Sequence, residues 1–373
     1  MSEKSINRRL KKRSRQILRS RRGHALQSKR RARKYSPEKW RDSLFVPEVT
    51  RNLVQRRTKS QTKIVLNFPA ICSIKENSEE VCLFLRALED AFFITRARTV
   101  IIDHSVMEEV TPEAALVLIA ELWKLLEYSP KTRLHGLFKG AKPEVLSILG
   151  EVGYLKYFGI DPPSKTDGKK HFVEHTTGII TWAEPVAHLV TKFYTNGHLP
   201  LDRCRRLVKG LIECMQNVSH HAYRRASGRK LMGRWWLLGY IDEESGEIYF
   251  AFYDQGVGIP TTLRFKFRDR VLPELFGRSG CELIVAAFNG RYSSTKKGNR
   301  GLGLPGLKRL VDEAPNGELF VQSKECRVLL KPRVPPTTKE MKNPLEGTLL
   351  VWQILVSQNN DHDSRKSHPR EGS

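Results

Sequence analysis

The sequence predicts an α/β protein: a small mixed α/β domain followed by an α+β sandwich. Three observations carry that prediction. Between residues 63 and 150 short apolar runs alternate with helical periodicity, as strands covered by helices should read. Beyond residue 200 a long amphipathic helix precedes a hairpin pattern and a set of late strands. At 373 residues and 42.9 kDa the chain can also build two cores of ordinary size, which excludes a peptide hormone or a disulfide knot.

Charge sets the ends apart from the middle. Residues 1–40 hold 16 Lys/Arg and two Glu, a net +14 out of the formal +25 of the whole chain. With few large apolar side chains, this basic arm cannot offset its ordering entropy and is expected to be mobile until an anion neutralises it. It can neutralise the phosphates of a nucleic acid but carries no base-reading motif. A polar tail, 357–373, closes the chain. The six cysteines form no CxxC pair and no Cys/His cluster, so neither structural zinc nor a secreted disulfide framework is expected. A reducing, cytoplasmic setting fits best, and no run of 18 apolar residues suggests a membrane span.

The first globular segment is read as residues 41–161. Lys63 to Phe68 and Thr99 to Asp103 have strand composition, the second apolar enough for a central parallel strand. Val81, Leu85, Leu88 and Phe92 recur at helical spacing between them. Thr111 then stands as an N-cap before Pro112 and Glu113, and Leu118, Leu122 and Leu125 mark the buried stripe of a second helix. Leu134 to Phe138 reads as an edge strand and Lys142 to Leu149 as a further helix.

The second segment, residues 165–356, follows a Pro/Ser/Gly linker. A long helix is expected from Asp202 to Ala222, and strands from Trp235 to Ile241 and from Ile248 to Tyr253, joined by a turn at Glu243 to Gly246. Helices are expected at Cys281 to Phe288 and Leu304 to Asp312. The late strands are Leu319 to Gln322, Val328 to Leu330 and Gly347 to Ile354.

Four clusters could carry chemistry. Glu213 and Asn217 lie four residues apart and share a helix face; a partly buried acid can serve as general base, and a carboxamide oxygen can complete a Mg²⁺ shell. Taken alone, the pair also fits an ordinary solvated face. Asp254, Gly256 and Gly258 follow an apolar strand, where a carboxylate can accept from a purine amine while the glycines let the backbone turn tightly; a plain turn reads the same way. Lys296, Gly301 and Gly303 belong to a glycine loop that runs into a helix, a combination able to hold phosphate. It is neither a Walker A loop nor a dinucleotide fingerprint. Gly347 and Thr348 open the last strand.

In this order, the four clusters resemble the N, G1, G2 and terminal GT boxes of the GHKL ATPase superfamily, whose members include the gyrase ATPase, mismatch-repair MutL and histidine kinases. The resemblance implies a Bergerat fold that binds ATP and Mg²⁺. It assigns Glu213 as catalytic base, Asn217 as Mg²⁺ ligand, Asp254 to adenine, Gly256 and Gly258 to its pocket, Gly301 and Gly303 to the phosphate lid, and Thr348 to a place near adenine. Ile101 to Asp103, Thr111 to Leu116 and Gly140 to Gly153 resemble the STAS domain of anti-sigma-factor antagonists, a family in which the helix after the central strand often begins with a phosphorylatable Ser or Thr; Thr111 lies near that position. The expectation is a GHKL ATPase with a STAS-like domain that hydrolyses ATP to switch a protein or nucleic-acid interaction. A protein Ser/Thr kinase and a non-catalytic nucleotide-binding adaptor are the alternatives. Whether two chains pair is left open.

Overall fold

The computed structural model describes residues 63–95, 97–161, 170–181, 183–195, 199–219, 233–242, 246–266, 277–290, 303–314 and 316–355. The basic arm, the polar tail and most of the glycine loop lie outside these residues. The fold is α/β with parallel and antiparallel sheets, and by packing it divides into two compact units.

One unit gathers 63–67, Arg86–Asp103 and Glu121–Leu137. Its sheet is parallel, with β3 (Thr99–Asp103) between β1 (Lys63–Asn67) and β5 (Arg133–Leu137). The central place of β3 matches its composition, since Val100 and Ile102 are fully buried and the flanking strands carry the exposed residues. Helices α1 (Ser78–Phe93) and α2 (Pro112–Tyr128) contribute their second halves to this unit. Here Lys124 is buried but paired with Glu121 at 2.6 Å, which offsets part of its desolvation.

The other unit holds Phe68–Leu85, His104–Ala120 and everything described from Phe138 on. It includes the short parallel pair β2 (Ile71–Cys72) and β4 (Glu109–Val110), and helix α3 (Pro143–Glu151), which starts with Pro at its first position. Thr111 precedes α2 as expected, but its hydroxyl caps nothing: Oγ1 is buried without a hydrogen-bond partner.

The main sheet of this unit is antiparallel, in the order β6 (Lys170–Gly178), β7 (Trp235–Asp242), β8 (Glu247–Asp254), β10 (Thr337–Leu355), β9 (Glu318–Leu330). Alternation along the strands gives it two buried faces. On one, Leu237, Phe252, Leu350 and Val321 stand in one cross-strand row and pack against α4 (Ala183–Thr195), α5 (Leu201–Asn217), α7 (Gly280–Phe288) and α8 (Gly303–Asp312). Ser279 closes a capping box with Glu282 at the start of α7. The opposite face carries Trp236, Leu238, Ala251, Phe320 and Gln322, all buried.

The late strands differ from expectation. The pieces at 319–322 and 328–330 are one strand, and β10 begins ten residues before Gly347. Pairing continues through register shifts between Glu340 and Thr348, and Lys324 takes a left-handed φ of 56° opposite them. Strand β6 and helices α4 and α6 (Ile259–Lys266) add to the elements expected from sequence.

Candidate functional site

Three polar residues end the helix-covered face in a single row. Ser323 on β9 pairs with Thr348 on β10, and Thr348 pairs with Asp254 on β8. Residues directly opposed on neighbouring strands project to the same face, so all three share the side occupied by Trp235 of β7. All three are buried.

The turn beyond β8 is built around the same row. Asp254 Oδ1 accepts from the Gly256 amide at 2.7 Å, an Asx-type turn that redirects the chain into α6. Gly258 (φ +84°) would carry a Cβ 2.9 Å from Ser323 Oγ, so the turn is pressed onto β9. Gly347 (φ +86°) is tighter still: a Cβ there would fall 1.7 Å from the Asp254 carbonyl oxygen. Only glycine fits between Asp254 and Thr348. Ser323 Oγ accepts from the Ile259 amide at 2.9 Å, donates to the Gly347 carbonyl at 3.2 Å and meets Thr348 Oγ1 at 2.9 Å. Tyr253 donates to the Glu346 carbonyl, and Lys324 pairs with the Glu346 carboxylate at 2.9 Å.

Burial pushes the Asp254 carboxyl up to about 7, against the opposing pull of the Gly256 amide and Lys324. The Cys214 thiol on α5 is also pushed up, first by burial and then by the negative charges of Asp254 and Glu213. Cys214, the neighbour of Glu213 in α5, therefore lies near enough to Asp254 to feel its charge. Glu213 itself is half-buried, and burial raises its carboxyl against the pull of Lys209, while Asn217 is exposed at the helix end.

Helix α8 runs antiparallel to α5. Arg203 donates to the Glu313 carbonyl and Arg206 pairs with the Glu313 carboxylate at 3.0 Å, so the start of α5 meets the end of α8. Midway, a Cβ on Gly210 would fall 2.3 Å from the Leu307 side chain, so the two helices pack closely there. From Leu307 back to Gly303 is about 6 Å, and from Gly210 on to Glu213 about 4.5 Å, at the rise of an α-helix. The Glu213 turn therefore stands beside the first turn of α8, where the amides of Gly303 and Leu304 lack intrahelical partners and Pro305 has no amide proton to satisfy.

The structure thus brings Asp254, Gly256, Gly258 and Thr348 together at one end of the sheet, and sets the Glu213 turn of α5 beside Gly303 at the start of α8, with Asn217 the last residue of α5. Lys296 and Gly301 lie outside the described residues. Sequence reasoning missed Ser323 and Lys324. Their one signal was the polar run Gln322-Ser323-Lys324 inside an apolar strand. Among the described residues no group of three or more His, Cys, Asp or Glu is arranged to hold a metal ion, and no helix is long and apolar enough to cross a membrane. No protein-family model matches the chain, and no curated protein matches it.

Proposed function

We propose that the chain is a Mg²⁺-dependent ATP-binding protein of GHKL type, with a STAS-like N-terminal part, that hydrolyses ATP to switch an interaction with a protein or a nucleic acid. The observation that carries this reading is the buried row Ser323–Thr348–Asp254, with the half-buried Glu213 on the helix packed beside it. The donor chemistry fits the ligand. Asp254 gives one oxygen to Gly256 and keeps lone pairs for an exocyclic amine. The first amides of α8, at Gly303 and Leu304, suit phosphate, and the side-chain oxygens of Glu213 and Asn217 are of the hard type that Mg²⁺ prefers. When bound, Mg²⁺ would neutralise charge on the phosphates.

In this mechanism Asp254 orients the base and the first turn of α8 holds the phosphates. Glu213 takes the proton from the attacking water. Its raised carboxyl pKa makes it a stronger base than a solvated glutamate. Phosphotransfer would use the same base, but within this chain the Thr111 hydroxyl is buried, which favours water as the acceptor.

Calorimetry tests the reading. The full chain should bind ADP and ATP with Mg²⁺, and Asp254→Ala should weaken both by about 10-fold or more, through loss of a buried hydrogen-bond partner. Glu213→Gln should still bind ATP but release phosphate about 10²–10⁴ times more slowly. Absence of binding heat at millimolar nucleotide would overturn the proposal.

A further inference from the structure

A serine hydroxyl has one proton to give and two lone pairs to fill. Around Ser323 Oγ stand three groups: the Ile259 amide, the Gly347 carbonyl and the Thr348 hydroxyl. The amide can only donate and the carbonyl can only accept. All three contacts are satisfied together in one arrangement: Ser323 donates to Gly347, accepts from Ile259, and takes its remaining bond from the Thr348 proton. Each of these groups is buried or in the turn beside the row, so the arrangement is shielded from competing water.

We propose that Ser323 is a positioning residue that decides which purine edge the site accepts: by holding the Thr348 proton, it leaves Thr348 as a hydrogen-bond acceptor beside the Asp254 carboxylate. Two acceptors side by side select an edge that presents an exocyclic amine and reject one that presents a carbonyl, directly or through a shared water. The inference rests on the nucleotide reading above and goes beyond it, since it assigns the base preference to a residue that contacts Thr348 and not the base.

The experiment compares ADP with inosine diphosphate, in which a carbonyl replaces the amine, by calorimetry on the full chain at pH 8.5 with Mg²⁺. Wild type should prefer ADP by about 100-fold or more. Ser323→Ala frees the Thr348 proton to face the ligand and should cut that preference about 10-fold. Thr348→Val, which removes the acceptor at constant volume, should cut it similarly, and the double variant should lose no more than Thr348→Val alone. A purely structural role for Ser323 would weaken both nucleotides equally and leave their ratio unmoved. Ser323→Cys keeps the side-chain volume with a far weaker hydrogen-bonding group, and supplies the same readout where the alanine variant does not fold. If wild type binds ADP but the Ser323 variants keep the wild-type ratio, or the double variant loses the product of the two single effects, this proposal is overturned alone. If wild type binds neither nucleotide, the reading beneath it falls as well.

Discussion

Asp254 shows how a candidate recognition residue strains the fold that holds it. Its ordinary carboxyl value is 3.8, and burial brings it to about 7. Between those values the folded state holds the proton more firmly than the unfolded chain. Stability contributed by this group therefore falls as pH rises through that window, then stays level above it. Asp254→Asn keeps the shape and the acceptor for Gly256 but carries no charge. Urea unfolding should find the variant more stable than wild type at pH 8, by about 1–4 kcal/mol, with a clearly smaller gap at pH 5. Nucleotide affinity should fall in the same variant, because the carboxylate that costs stability is the one that would accept the base amine. A gap of equal size at both pH values would show that burial of the charge is not its cause.

At the scale of elements, the site depends on β8 and β10 approaching more closely than side chains allow. Gly347→Ala should cost at least about 2 kcal/mol, since its Cβ would overlap the Asp254 carbonyl as well as the backbone adopting a positive φ. Gly246, in the β7–β8 turn, also has a positive φ (+66°) but open space around it, so Gly246→Ala should cost about 1 kcal/mol. Denaturant midpoints of the two variants separate clash from backbone strain; equal losses would refute the close-approach account. The same strands mark where sequence reading succeeds and fails. Strand β3, helices α1 and α5 and the β7–β8 hairpin were legible because apolar residues recur there at the period of the element. Strands β9 and β10 were read as fragments because Ser323 to Arg327 and Met341 to Glu346 interrupt the alternation with polar residues, bulges and a left-handed Lys324. Asp254 and Thr348 were legible as motif residues. Ser323 was not, because its role comes from cross-strand register, which links positions 25 residues apart that no local pattern relates.

Across the whole molecule, packing does not follow the order of the chain. Segments 68–85 and 104–120, which read as part of the first globular segment, belong by their contacts to the unit that carries the antiparallel sheet. They cover its second face. Ser78 donates to Gln322 at 2.8 Å in a fully buried contact, Arg327 donates to the Ile74 carbonyl at 2.7 Å, and the Glu79 carboxylate accepts the amides of Lys342 and Asn343. Glu113 lies close enough to Tyr240 and Tyr249 to raise both hydroxyl pKa values further, beyond the effect of burial. Trp236, Leu238 and Phe320 are buried on this face, and exposing them would forfeit about 1.5–3 kcal/mol for each large apolar side chain. A fragment of residues 165–356 should therefore lack a cooperative unfolding transition and should associate through the uncovered face, whereas residues 63–356 should unfold as a monomer in one transition for this unit. Gln322→Ala in the longer fragment should lower stability by about 1–3 kcal/mol, because it leaves the Ser78 hydroxyl buried without its acceptor. Sedimentation together with thermal unfolding of the two fragments checks this. A monomeric 165–356 fragment with a sharp transition would mean that the sandwich stands without its cover, and that the contacts of Ser78, Glu79 and Arg327 join two parts that fold independently.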